Sequence, residues 1–350
     1  MKTFKFFILI LSISSFALTG CSGLKTMTIQ THEPAQVTLP KDVKKILIVD
    51  NAVSQPYDVG HSKKSLDSPQ QKTTTVTTDS LTIIFTEALT QFLEEEEFYD
   101  VVMLHDKPLR KDEEYWKEEP LPLIKMQELK KESGADAIVS LDKLLVTSDW
   151  KDNFIQEGYP YATLNGKIAL TMRVYLPTLE GRIPTVHFTD SLYWEGFDIS
   201  DGRAYAEFVI PHAESALKDL TIYAADKMTY VLTPHWMDQE RWYYTMSSST
   251  ARDAQSFAEQ AKWTEAVNKW ESFYNSSKKK IDKAKAASNI ALGYEMLDDM
   301  QTAHMWITRA QDLFNESTTT ESLERKRVTV YKTEIERRLD VSNKLNMQID

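Results

Sequence analysis

The sequence predicts an α+β protein: a three-layer α/β N-terminal domain with an antiparallel strand extension, followed by an all-α helical-repeat domain. Three observations predict it. Between residues 45 and 142, strand-length apolar runs alternate with segments of helical period. From Lys143 to Glu195 the β pattern becomes long and alternating. Beyond Thr250 strand signals stop and similar residues recur 37 positions apart. A chain of 350 residues has room for two domains at about 150 residues each.

Residues 1–20 carry Lys2 and Lys5, the apolar run Phe6 to Leu11, and small residues before Cys21. A positive start and an apolar centre too short to span a bilayer define a secretory signal peptide. Residues 21–40 are polar and aperiodic and read as a tether. The α/β domain spans 41–232. Lys45 to Asp50 is a buried strand, short and rich in β-branched residues. Residues 51–79, rich in Ser, Thr, Gln and Lys, read as a long loop.

Asp79 is the expected cap of a helix over 80–96, whose Leu81, Ile84, Phe85, Leu89, Phe92 and Leu93 share one face. Val101 to Leu104 is a second strand, 123–132 a second helix closed by Ser133-Gly134, and Ala135 to Asp142 a third strand. Lys143 to Asp149, Ala162 to Leu176 and Pro184 to Glu195 follow as β segments, separated by turn signals at Asn165-Gly166 and Glu180-Gly181. A long helix runs from Asp201 to Leu232. Residues 233–250 form an aromatic junction and 251–347 the helical-repeat domain.

Composition narrows function. A single cysteine excludes an intramolecular disulfide and thiolate zinc clusters. The formal charge of -11 argues against nucleic acid as a partner. Residues 245–350 hold 16 basic and 16 acidic side chains, so the deficit lies in the α/β domain, where a basic partner would be steered. Seven histidines, at 32, 61, 105, 187, 212, 235 and 304, form no zinc spacing, and Asp198, Asp201 and Gly202 lack the carboxylates of a calcium loop. We expect no metal and no cofactor.

Asp142, Asp149 and Asp152 lie where α/β folds place sites, and paired carboxylates can act as acid and base, but no catalytic motif accompanies them. No catalytic residue is assigned. Trp236, Trp242 and Tyr243 concentrate rings at the junction. They serve either as a stacking surface for sugar, glycan or peptide, or as packing between the long helix and the first repeat. Packing is the expectation.

Several resemblances sharpen this reading. Leu18-Thr19-Gly20-Cys21 resembles the bacterial lipobox. The resemblance implies acylation of Cys21, Ser22 in place of an aspartate implies the outer membrane, and Ser22-Gly23-Leu24-Lys25, which lacks an acidic stretch, implies its periplasmic face. The stretch from about 40 to 195, with Gly134-Ala-Asp-Ala-Ile-Val139, resembles envelope lipoprotein modules of the curli secretion channel and of penicillin-binding-protein activators. The channel's membrane-inserting segments have no counterpart. Ala254, Phe257, Ala266 and Trp270, then Ala291, Tyr294, Ala303, Ile307 and Ala310, resemble two tetratricopeptide repeats, although Lys278 and Asn315 replace the terminal proline. Pro234-His235-Trp236 and Arg241-Trp242-Tyr243-Tyr244 are similar to a segment of uncharacterised Bacteroidota lipoproteins, which implies no activity.

The expected function is therefore a non-catalytic, lipid-anchored scaffold that binds other envelope proteins and touches the membrane through Cys21. One alternative is an envelope hydrolase or glycan-binding protein, in which two of Asp142, Asp149, Asp152 and Glu195 would converge in a deep pocket. Another is a subunit of a secretion or assembly complex.

Overall fold

The computed structural model describes residues 23–65, 70–154, 160–176, 184–197 and 210–349. Cys21, the signal peptide, the Glu180-Gly181 turn, Asp198, Asp201, Gly202 and the first part of the helix expected from Asp201 lie outside the described residues. Two compact units emerge: His32–Trp236 with Asn343–Asp350, and Met1–Thr31 with Met237–Ser342. The class is the expected α+β.

The α/β unit is built on a seven-stranded sheet. Strand β2 (Lys45–Asp50) lies parallel between β5 (Val101–Leu104) and the first part of β6 (Ala137–Phe154). Helices α1 (Leu81–Glu95) and α3 (Ala213–Leu232) cover one face, where Ile46 and Ile48 share one core with Phe85, Leu89, Leu220 and Met228. Helix α2 (Leu123–Ser133) supplies Leu129 to the other face, against Leu47, Val49 and Ile138. A parallel strand covered on both faces buries both parities, which is why this segment is a continuous apolar run.

Four expectations are corrected here. The two strands expected at Ala135–Asp142 and Lys143–Asp149 are one strand, β6, with a register shift between Leu141 and Lys143. A bulge at Asp142 breaks the alternation and makes one strand look like two. Residues 51–79 are not wholly loop. They contain β3 (His61–Lys64), parallel to the distal part of β6, and β4 (Lys72–Thr73) antiparallel to β3. These strands are short and half-solvated, so they carry little apolar signal. Asn165-Gly166 is no turn: it lies inside β7 (Pro160–Tyr175), paired with both β6 and β8 (Thr185–Phe197). A Cβ at Gly166 would come within 3.1 Å of the Trp194 ring, so this glycine serves close approach. The cap of α1 is Ser80, while Asp79 accepts a hydrogen bond from the Tyr57 hydroxyl at 2.5 Å. Gly134 closes α2 at φ 71°, in the left-handed region as expected.

The second unit is helical with one small sheet. Helices α4 (Ser249–Glu259), α5 (Trp263–Ser276), α6 (Lys280–Met296), α7 (Met300–Ser317) and α8 (Leu323–Ile349) follow one another, the last crossing into the residues of the other unit at 343. Ala254, Ala266, Ala291, Ala303 and Ala310 are fully buried with Trp270 and Ile307, as close helix packing requires, and Phe257 and Tyr294 pack beside them. Gly293 has the same use, since a Cβ there would meet Val267 at 2.3 Å.

The tether expected at 21–40 is corrected: Leu24–Glu33 form β1, which pairs with β9 (His235–Tyr244) in the segment expected as an aromatic junction. Thr245 N donates to Gly23 O at 2.8 Å and Gln30 Nε2 to Asp238 Oδ1 at 3.2 Å, so the two strands run antiparallel. β1 buries alternate residues Ile29, Thr31 and Glu33. Two of these are polar, so the alternation is present in burial and absent from hydropathy.

Candidate functional site

In the α/β unit the carboxyl end of β2 meets the bulge in β6. Asn51 Nδ2 donates to Asp142 Oδ1 at 2.9 Å, Ser140 Oγ donates to the same oxygen at 2.6 Å, and Arg173 Nη1 donates to Oδ2 at 2.5 Å. The Asp142 side chain is fully buried. Burial pushes its carboxyl above the ordinary 3.8, outweighing the hydrogen bonds from Ser140, Asn51 and Arg173. Both oxygens are occupied, and a saturated cluster of this kind orders the bulge.

The four carboxylates singled out from the sequence stay apart. Asp149 accepts from Ser62 at 3.1 Å and Gln71 at 2.7 Å and pairs with Lys151 at 2.5 Å. Asp152 accepts from Trp150 Nε1 at 2.8 Å, and Glu195 is exposed on β8. None of these shares a bonding partner with Asp142.

Two features escaped sequence reasoning. A cavity of about 630 Å³ opens beside the end of β2 and the start of α1, lined by Asp50, Tyr57, Asp79, Thr82 and Arg110. Asp50 is 3% exposed; its Oδ1 accepts from Ala52 N at 3.0 Å, and burial raises its pKa beyond what Thr82 and Ala52 offset. Its signal in the sequence is an acid ending an apolar strand.

The other feature is a buried pair, His61 Nδ1 and Ser148 Oγ, at 2.9 Å. It looks like a base and its nucleophile, but the tautomer is wrong. Gln55 accepts from Val146 N through Oε1 at 2.8 Å, so its Nε2 faces His61 Nε2 while donating to Val59 O and Val146 O. A ring nitrogen opposed by an amide donor keeps its lone pair, which places the proton on Nδ1, donating to Ser148. Burial lowers the His61 pKa and keeps it neutral.

The helical unit holds a second cluster. Arg241 of β9 grips Glu295 of α6 through Nε at 3.1 Å to both oxygens and Nη2 at 3.0 Å to Oε1. Arg338 Nη1 donates to Oε1 at 2.7 Å and the Tyr331 hydroxyl to Oε2 at 2.6 Å. Burial pushes the Glu295 carboxyl up, but the bonds and charge of Arg241, with Tyr331 and Arg338, outweigh it and hold the group below the ordinary 4.5.

Beside this cluster lies a groove of about 510 Å³ between residues 239–242 of β9 and 329–334 of α8, with mainly apolar walls. Val330 on its wall is 62% exposed. At the next step along β9, Asn289 reads the main chain of Tyr244 from both sides: Oδ1 accepts from Tyr244 N at 2.7 Å and Nδ2 donates to Tyr244 O at 2.8 Å.

The junction rings separate accordingly. Tyr243 is buried against Trp270, with ring centroids 6.0 Å apart. Trp242 is half-buried, 5.8 Å from the Tyr331 ring, and lines the groove. Trp236 is exposed and stacks on His32 at 4.7 Å in the α/β unit. Among the described residues no three His, Cys, Asp or Glu side chains form a metal-ion group, and no helix is long and apolar enough to cross a membrane.

Fold and sites together define an α/β module and a helical-repeat unit that carries a groove with mainly apolar walls. The chain belongs to the family described as Domain of unknown function (DUF8603), whose model matches residues 43–244. Residues 252–337 match a second model, Domain of unknown function (DUF6340). No curated protein matches. Among solved structures the chain is similar to one described as a neuraminyllactose-binding hemagglutinin homolog from Helicobacter pylori. The identity is 11%, the TM-score 0.25, and the match covers 57% of this chain and 87% of that one, a likeness that carries no argument about ligands.

Proposed function

We propose that this protein is a non-catalytic scaffold of the cell envelope, lipid-anchored through Cys21 on the periplasmic face of the outer membrane, that binds other envelope proteins. It works without metal, cofactor or nucleic acid. The observation that carries the reading is the apolar groove beside β9 on the helical-repeat unit. Stacked helical repeats serve as binding surfaces, and an exposed Val330 and half-exposed Trp242 on a groove wall offer a partner the apolar contact that such surfaces use. The saturated state of the Asp142 cluster and the unsuited His61 tautomer also favour binding over chemistry.

Crosslinking in cells, followed by affinity recovery, tests the scaffold. Envelope proteins captured by the native chain should be lost with a Val330→Arg variant. Recovery of no envelope protein that depends on residues 251–347 overturns the reading. The anchor has its own test: Cys21→Ala should leave the membrane fraction, and retention there sinks lipidation.

A further inference from the structure

We infer that the groove receives an extended peptide segment of a partner protein, added as a third strand along the open edge of β9. The inference rests on the scaffold reading and names the chemistry of its partner.

In an antiparallel pair, successive residues point their main-chain N–H and C=O to opposite edges. Thr245 N bonds to Gly23 O, so odd-numbered residues of β9 face β1 and even-numbered ones face away. Tyr244 obeys this parity, because its N–H and C=O meet the Asn289 amide. Asn289 thus occupies one step of a missing strand. Two residues on, the same parity turns the N–H and C=O of Trp242 outward, where β9 lines the groove. At Glu240 the carbonyl is already taken by Arg241 Nη1 at 3.0 Å, so the free ladder is short and centred on Trp242.

Proteins usually blunt an open edge with proline, lysine or a bulge. Residues 239–242 are Gln, Glu, Arg and Trp, with neither proline nor lysine. The charges around the groove cancel, Arg241, Arg337 and Arg338 against Glu240, Glu295 and Glu334: Arg241 and Arg338 share Glu295, and Arg337 pairs with Glu334 at 2.7 Å. The walls offer Val330, Trp242, Thr329 and Thr333. A neutral segment with β-branched side chains at alternate positions matches that surface, its main chain bonding to Trp242 and one side chain lying over Val330.

The test is selection of random twelve-residue peptides displayed on phage against the full chain. Enriched sequences should alternate apolar and polar residues with period two. Recovery should fall roughly tenfold more for Trp242→Pro, which lacks the edge N–H, than for Trp242→Ala, which keeps it, the worth of about one hydrogen bond. Val330→Arg, with circular dichroism to confirm folding, should abolish it. A selected peptide should slow hydrogen exchange at the Trp242 amide and leave Tyr244 unchanged.

Several outcomes overturn strand addition. One is apolar residues at helical spacing in the enriched peptides, which leaves the scaffold reading standing. Others are equal recovery on the Pro and Ala variants, a concentration-dependent dimer that protects the Trp242 amide, and no enrichment at all. In the last case the crosslinking result decides the scaffold reading independently.

Discussion

Asp142 and Glu295 are the two most buried ion-pair carboxylates of their respective units, each with a side chain fully withdrawn from solvent, yet their acidities move in opposite directions. Asp142 has one guanidinium and two neutral donors; Glu295 has two guanidinium groups and a phenol. Burial penalises both anions, and the second guanidinium at Glu295 turns the sign there. One unit therefore contains a carboxylate that its surroundings fail to stabilise fully, and the other an anion that holds a strand and two helices together.

The largest expected effect separates the two. Glu295→Gln leaves Arg241 and Arg338 without their anion and should cost about 3–5 kcal/mol in urea unfolding. Asp142→Asn keeps the bonds from Asn51 and Ser140 but turns an amide donor toward Arg173, losing that hydrogen bond with the charge, so about 1–3 kcal/mol is expected. Equal losses would break the comparison.

The pH dependence sharpens it. Glu295 is held below its ordinary 4.5, so the folded state binds its proton less readily than the unfolded chain. Its contribution is present above about pH 4.5 and disappears as pH falls through the folded value. Asp142 is raised above 3.8, so the folded state binds the proton more readily, and stability is lost as pH rises from 3.8 through its folded value. Unfolding free energies across acid pH should show a shallower acid loss in Glu295→Gln than in the native chain. Asp142→Asn should show a steeper net rise with pH than the native chain.

The two ends of β9 differ as well, and the smallest effect falls at Trp236. Trp236 makes one stack on His32 and is 66% exposed, so Trp236→Ala should cost about 1 kcal/mol or less. Tyr243→Ala removes a buried ring from the helical core and should cost about 3–5 kcal/mol by thermal unfolding.

Much of the architecture was legible because burial there follows hydropathy. The β2 run, the α1 face, the Gly134 stop and the small residues at Ala254, Ala266, Ala291 and Ala303 all describe surfaces that must meet other apolar surfaces. What was missed shares one cause. β1 buries Thr31 and Glu33, β3 carries Ser62 and Lys63, and β9 interleaves Arg241 with aromatic rings. These strands are held by main-chain ladders and polar partners, neither of which has a hydropathy period. The candidate groove was illegible for a related reason: it depends on which edge of β9 faces outward, a matter of parity against β1.

By itself the sequence determined the class, the order of most helices and the parallel strands, and the close packing of the repeats, since local propensity and apolar period act over a few residues. Only the tertiary structure decided that β6 is one bulged strand, that Asp142 and Glu295 sit in unlike fields, and that the Trp242 edge is open. Each of these is set by partners tens to hundreds of positions away in the chain, and that is where the chemistry of this protein's surfaces is determined.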